Sequence, residues 1–500
     1  MNVEHAKKRL RELQNKLASL DHALALLSYD GATSAPKKTA ANRAETSAFL
    51  SGEYYKLSTS KRTVSFLEEL DTAKDELDPF SRRAVFLLLK DVRQMAKIPM
   101  KEYVAFERLL VESDDVWHTA KETDDFPLFA PYLKAVFETR RRFAGYVAPD
   151  KDPYDFLLGE FEDGLDRAFC DRFFSAVREK LVPLIRTVGS LPAPDDRCLQ
   201  GRFPLEKQRR PSAELMKVLG LDPGRVGLAE TEHPFTTSLG SHLDVRITTH
   251  YHEDDFASSM YSVIHEGGHA LYDTGSAEDL ARTVLDGGVT MGIHESQSRF
   301  YENILGRSRE FLEWLYPRLR NLFPQLRAYG PDDLYRAVNT VRPSLIRTEA
   351  DEVTYTLHVL VRYELEKAVM AGDLSAEDLP GEWNRLYGEL LGVVPENDRT
   401  GVLQDSHWSG GAVGYFPSYA LGSAYGAQFL RKMQETVPVF EDLRKGNLER
   451  INSWNREHIW KHGRLYPSDV LLQKVLDEPF DPLVYTSYLE NKVRDVYGIR

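Results

Sequence analysis

Cysteine is scarce in this chain of 500 residues: Cys170 and Cys198 are the only two, and they form no CxxC pair. A disulfide framework and a thiolate metal site are thereby excluded, and a reducing compartment is expected. Long apolar runs are missing as well. The longest, residues 84–89, falls far short of the ~18 residues a membrane span requires. Residues 1–10 are polar and helix-prone with no apolar stretch behind them, so no secretory leader is expected and the cytoplasm is the expected location. There is no Lys/Arg block, and 64 basic against 77 acidic residues leave a net charge of −13. Binding to nucleic acid depends on cationic clusters that release counterions, so nucleic acid is excluded as a partner, as is a membrane. Tandem repeats and low-complexity linkers are lacking.

What is present is helical texture. Leu10, Leu13, Leu17, Leu20, Leu24 and Leu27 recur at 3,4 spacing and paint one stripe on a helix. Residues 1–190 read as packed helices, an N-terminal helical lobe. Between about 189 and 240, prolines and glycines crowd the chain and loops are expected. Residues 243–249 alternate Leu243, Val245 and Ile247 with Asp244, Arg246 and Thr248, which predicts a strand with a polar face. Helical periodicity returns from 255 to the end. Composition and pattern together predict a mainly α protein: one large helical unit over 1–500 with a groove and a small β-sheet, a chemistry-bearing region over about 230–430, and C-terminal helices over about 430–500.

Histidine is unevenly placed. Seven of 14, at 233, 242, 250, 252, 265, 269 and 294, fall within one segment, which points to a metal or acid/base site. At its centre is His265-Glu266-Gly267-Gly268-His269. On a helix, residues four apart differ by about 40° in angle and ~6 Å in rise, so both imidazoles reach one ion. Glu266 beside them is placed to act as base on a water, the role this spacing has in zinc peptidases. The paired glycines oppose a helix by about 1 kcal/mol each, and a close approach of other backbone or of substrate would account for them. An open zinc site needs a third protein ligand. A third histidine at metzincin spacing is absent, and Glu278, Asp286 and Glu295 are the acidic candidates; Glu295 is preferred because it opens an apparent second helix, though spacing leaves the choice open.

At this point the sequence resembles the carboxypeptidase Taq family of metallocarboxypeptidases. The motifs appear in order: His233-Pro234-Phe235, Asp244-Val245-Arg246-Ile247-Thr248, the segment 265–269, His294-Glu295-Ser296-Gln297, Ile346-Arg347-Thr348-Glu349-Ala350-Asp351, and Gly401-Val402-Leu403-Gln404-Asp405-Ser406-His407-Trp408. The similarity is strongest over about 230–430. Tyr29, where the family has Trp, and Lys121, where it has Arg, depart from the pattern.

The resemblance implies a homodimer of helical subunits with gluzincin, neurolysin-like architecture and a deep groove. It implies one zinc per subunit, with cobalt as a substitute, held by His265, His269 and Glu295, with Glu266 as catalytic base. The implied substrate is a peptide with a free C-terminus, from which the last amino acid is removed. Arg347 is the first choice to bind its carboxylate and Arg246 the second, against pairing with Asp351 or Asp244. His407, Tyr415 and Tyr419 are candidate oxyanion donors. His233, Asp244 and Gln404 complete the expected substrate contacts, the strand 243–249 would pair with substrate backbone as an edge strand, and Asp351 or Asp405 would orient the ligand imidazoles.

Overall fold

A computed structural model describes residues 3–499. Eight helices come first: α1 (Val3–Thr33), α2 (Ala40–Thr59), α3 (Lys61–Thr72), α4 (Pro79–Met95), α5 (Met100–Thr123), α6 (Phe126–Val147), α7 (Pro153–Phe161) and α8 (Arg167–Gly189). A ninth, α9 (Leu205–Leu219), precedes strands β1 (Val226–Glu230), β2 (Thr236–Ser238) and β3 (Val245–Thr249). Then follow α10 (Phe256–Thr274), α11 (Met291–Arg299), α12 (Arg309–Leu322), α13 (Pro331–Val338), α14 (Glu352–Ala371), α15 (Leu379–Leu390), α16 (Phe416–Met433), α17 (Val439–Arg444), α18 (Glu449–His458), α19 (Ser468–Leu476) and α20 (Pro482–Tyr497). The molecule is mainly helical with one small sheet.

The segment 189–240 is not the continuous loop its composition predicts. Pro204 sits just ahead of α9 and Pro211 lies inside it, so proline there marks a helix rather than breaking one. β1 and β2 are too short, at five and three residues, to carry a readable alternation. The sheet order is β1-β3-β2, with β1 parallel and β2 antiparallel to β3. β3 is therefore the central strand, and the expectation that it pairs with substrate as an edge strand fails because both its edges are occupied. Val245 and Ile247 are buried as the alternation predicts, whereas Leu243 lies outside the strand and is 39% exposed. Thr248 is also buried: its hydroxyl accepts from the Phe235 N–H at 2.8 Å and donates to the Phe235 carbonyl, tying two motifs together.

A large core joins residues from Trp117 to Val496. A second core contains Leu10, Leu13 and Leu17 of the α1 stripe and closes on Leu280 and Leu285 of the loop between α10 and α11. Inside the large core, α11 is wedged between α10 and α16. A Cβ on Gly268 would stand 2.7 Å from the Gln297 carbonyl oxygen, and one on Gly422 2.7 Å from the Glu295 Cβ. Both glycines permit close approach; for Gly268 this is the neighbouring backbone the sequence suggested, whereas at Gly267 an added Cβ would meet the Leu219 side chain of α9 at 2.5 Å. Asp255 caps α10 and Thr290 caps α11 through side-chain acceptors, fixing where each helix begins.

Alanine at Gly268 or Gly422 should therefore cost about 1–3 kcal/mol in denaturant unfolding by overpacking. Alanine at Gly52, in α2 with nothing within 4 Å of the added Cβ, should stabilise by up to about 1 kcal/mol.

Candidate metal centre

α10 carries His265, Glu266 and His269 on adjacent turns, and α11 brings Glu295 over them. The Glu295 Oε2 lies 3.6 Å from the His269 Nε2 and 3.9 Å from the His265 Nε2. One donor atom from each of the three residues falls within 4.8 Å of the others. Two imidazole nitrogens and a carboxylate oxygen facing one point are a suitable donor set for a divalent metal. The acidic alternatives point elsewhere: Glu278 pairs with Arg225, and Asp286 accepts from the buried His242.

The opposite ring nitrogens decide whether the facing ones carry lone pairs. His265 Nδ1 lies 2.8 Å from Glu302 Oε2, an acceptor, so it donates and leaves Nε2 free for a metal. His269 Nδ1 lies 2.6 Å from His294 Nδ1, and His294 Nε2 lies 2.9 Å from Asp273 Oδ1. In neutral His294, donation to Asp273 leaves Nδ1 as an acceptor, so His269 donates there and its Nε2 is likewise free. The Ser238 hydroxyl donates to the other Asp273 oxygen at 2.6 Å. The expectation that Asp351 or Asp405 orients these imidazoles is corrected: Asp351 caps α14, and Asp405 pairs with Arg347 and Arg362. Glu302 and Asp273 take that role. Glu302 comes from a π-helical stretch, Phe300–Gly306, that continues α11. Its seven-residue spacing from Glu295 and the four-residue spacing of His269 and Asp273 are same-face signals that the sequence carried.

Burial alone would lower the His265 value, but hydrogen bonding to Glu302 and the charges of Glu295 and Glu266 outweigh it and raise it to about 9. His269 is lowered, because burial dominates. Burial would raise the Glu295 carboxyl, yet Arg299, whose Nε donates to its Oε1 at 2.7 Å, and the two histidines hold it well below the usual carboxylate range. Glu266 accepts from the Thr236 hydroxyl on β2 at 2.7 Å. His265 and Glu266 form part of the wall of a groove of about 890 Å³, with Arg299, Glu302 and Pro234.

A second cluster lies where the loop 401–414 meets α14 and α16. Arg347, 5% exposed, donates from Nε and Nη2 to Asp405 Oδ1, and from Nη1 to the Tyr355 hydroxyl at 3.1 Å. Its guanidinium stands 4.8 Å from the centroid of the Tyr419 ring. His407 Nε2 is 3.1 Å from the Tyr419 hydroxyl, and the Tyr415 and Tyr419 rings meet at 5.0 Å. Burial lowers His407 to about 4, with Arg347 and Arg362 contributing, and burial raises Tyr415 to about 12, so near neutral pH His407 is uncharged and the Tyr415 phenol is protonated. Gln404 is partly buried in the same cluster: its Oε1 accepts from the Arg347 N–H, and its amide nitrogen donates to backbone carbonyls including Leu345. Arg246 pairs with Asp244 at 2.8 Å beside Tyr29, and His233 is exposed. Lys121 donates to the Gln404 carbonyl.

A helical frame holding a His/His/Glu donor set with a glutamate next to the first histidine defines a metallopeptidase. A family model described as Carboxypeptidase Taq (M32) metallopeptidase matches residues 9–493. The chain is 39% identical to Carboxypeptidase 1 of Bacillus subtilis, covering 99% of this chain and 100% of the relative, and 38% identical to Thermostable carboxypeptidase 1 of Thermus thermophilus, covering 100% of each. The crystal structure of the M32 carboxypeptidase from Deinococcus radiodurans superposes with a TM-score of 0.96 at 34% identity, covering 99% of this chain and 100% of that one. The chain belongs to the carboxypeptidase Taq family of metallopeptidases and is a metallocarboxypeptidase.

Replacing Glu302 by Gln should weaken metal retention about 10- to 100-fold in a chelator competition, with the fold intact. In metal-free protein, the raised His265 contributes stability in full below its unfolded value near 6.5, and this is lost as pH rises through about 9. Metal affinity should rise over the same interval as the competing proton leaves. A flat affinity between pH 6 and 9 would contradict the assignment.

Proposed function

We propose that the protein is a zinc-dependent carboxypeptidase that releases the C-terminal amino acid from peptides with broad side-chain tolerance, acting in the cytoplasm as a homodimer whose subunits each form one unit over 1–500. The observation that carries this is the convergence of His265, His269 and Glu295 beside Glu266, with Arg347 ahead of α14 and three aromatic donors, His407, Tyr415 and Tyr419, on the segment leading into α16 and on its first turn. A core running from Trp117 to Val496 supports the single unit. No helix among the described residues is long and apolar enough to cross a membrane.

Zinc bound by those three residues would supply Lewis acidity, bringing the pKa of a water toward ~7 and polarising the scissile carbonyl; cobalt would serve the same geometry. Glu266, oriented by Thr236, accepts the proton of the attacking water and passes it to the leaving amine. Tyr415 or Tyr419, or His407 in its neutral form, donates to the developing oxyanion. Arg347 binds the substrate carboxylate: a guanidinium has five N–H donors, and the bonds to Asp405 and Tyr355 occupy one on each nitrogen, leaving two. Arg246, with Asp244 and His233, lies on the β2–β3 side and is available for contacts further along the peptide.

Mass spectrometry of an N-blocked peptide should show stepwise loss of single C-terminal residues, abolished by chelator. Glu266→Gln should keep the metal and lose activity by 10²-fold or more. Equal cleavage of free and amidated C-termini at internal bonds would instead identify an endo-acting oligopeptidase.

A further inference from the structure

Asp405 is shared. Its Oδ1 accepts from Arg347 Nη2 at 2.8 Å and its Oδ2 accepts from Arg362 Nε at 2.7 Å, with side-chain exposures of 6%, 0% and 11% for Arg347, Arg362 and Asp405. Neither guanidinium forms an ion pair with any other carboxylate among the described residues. Two cations therefore meet one anion in a desolvated place, and one positive charge is left over. Glu366, one turn from Arg362 on α14, forms no ion pair with either guanidinium: its oxygens accept from the Tyr154 hydroxyl, the Trp408 N–H and the Gly414 N–H, and burial raises its carboxyl to about 7, so it does not stand as a second full anion. A buried excess charge is costly unless an ion meets it, and the residue able to receive one is Arg347, whose two unspent N–H groups match a carboxylate.

The Tyr355 hydroxyl accepts from Arg347 Nη1, while its ring lies 4.2 Å from the guanidinium of Arg299, the residue that holds Glu295. Tyr355 thus stands between the group that binds the end of the substrate and the group that holds a metal ligand. An exopeptidase must keep those two points one residue apart.

We propose that Arg362 and Tyr355 are positioning residues for C-terminal selectivity: Arg362 keeps Asp405 from neutralising Arg347, and Tyr355 fixes Arg347 at its distance from the metal centre. This rests on Arg347 as carboxylate anchor. Without Arg362, both Asp405 oxygens turn to Arg347 in a bidentate pair, and the anchor is neutralised. Without the Tyr355 hydroxyl, Arg347 loses its contact on the side of the metal ligands.

The test compares kcat/KM on one N-blocked peptide as free acid and as C-terminal amide, with melting temperature recorded for each variant. Arg362→Met and Tyr355→Phe should each lower the acid-to-amide ratio about tenfold, mainly through KM for the acid, and Arg362→Lys should restore part of it. Tyr355→Phe keeps the packing and serves if Arg362→Met does not fold. A ratio within twofold of wild type in Tyr355→Phe and in folded Arg362→Met, or parallel losses on both substrates with a lower melting temperature, would overturn the proposal. A wild type with no preference for the free acid would instead remove the anchor itself.

Discussion

The site depends on one close approach, that of α11 to α10. Glu295 can join two imidazoles on a neighbouring helix only if the backbones lie nearer than ordinary side chains allow, and Gly268 and Gly422 clear the space on either side of α11. Glycine inside a helix costs about 1 kcal/mol relative to alanine. That local cost is offset by the core in which the three helices are packed, where Ile264, Ala270, Leu271, Ile293 and Leu421 are all buried. Stability comes from the surroundings, and the sequence at the contact is given over to geometry.

The same approach concentrates charge. Glu295, Glu302, Arg299 and Arg307 are paired within a few ångströms of the histidines, in surroundings where an unpaired ion costs several kcal/mol. Arg299 and Arg307 balance Glu295 and Glu302, leaving Glu266 and Asp273, the latter held by His294. With no metal, a proton on His265 is favoured, which is why its value rises despite burial. Proton and metal thus compete for one position, and the hydrogen bonds on the far side of each ring hold that position open for either.

Legibility in the sequence followed the range of each signal. The helices outside 189–240, the first half of the α1 stripe (Leu10, Leu13 and Leu17), β3 from Val245 onward and the 265–269 segment are periodic or local, and they stand where the pattern places them. Strands β1 and β2 escaped because five and three residues carry too little alternation, and α9 because its prolines imitate a loop. At the site, His265, Glu266 and His269 share one helix, so their convergence could be argued from spacing. Glu295 could not be separated from Asp286 and Glu278 by spacing, since what removes them is a buried histidine 44 positions earlier for Asp286 and an arginine for Glu278. Glu302, Arg362 and Tyr355 lie outside the recognised motifs, and their roles exist only through contacts made across helices.

Net charge is a poor guide to what such a site binds. A chain at −13 repels an anionic peptide end at long range, but at physiological salt that field decays within ~8 Å. What a substrate carboxylate meets at contact is set by groups shielded from water, where an interaction is worth several times its value at the surface. Around Arg347 those groups are a second guanidinium, one shared carboxylate, an uncharged histidine and the protonated phenols of Tyr415 and Tyr419. Every neutral or cationic neighbour preserves the attraction, and the single anion is held between two partners. An acidic protein can therefore select an acidic chain end, because selection is decided inside the cluster and the surface charge acts only on the way in.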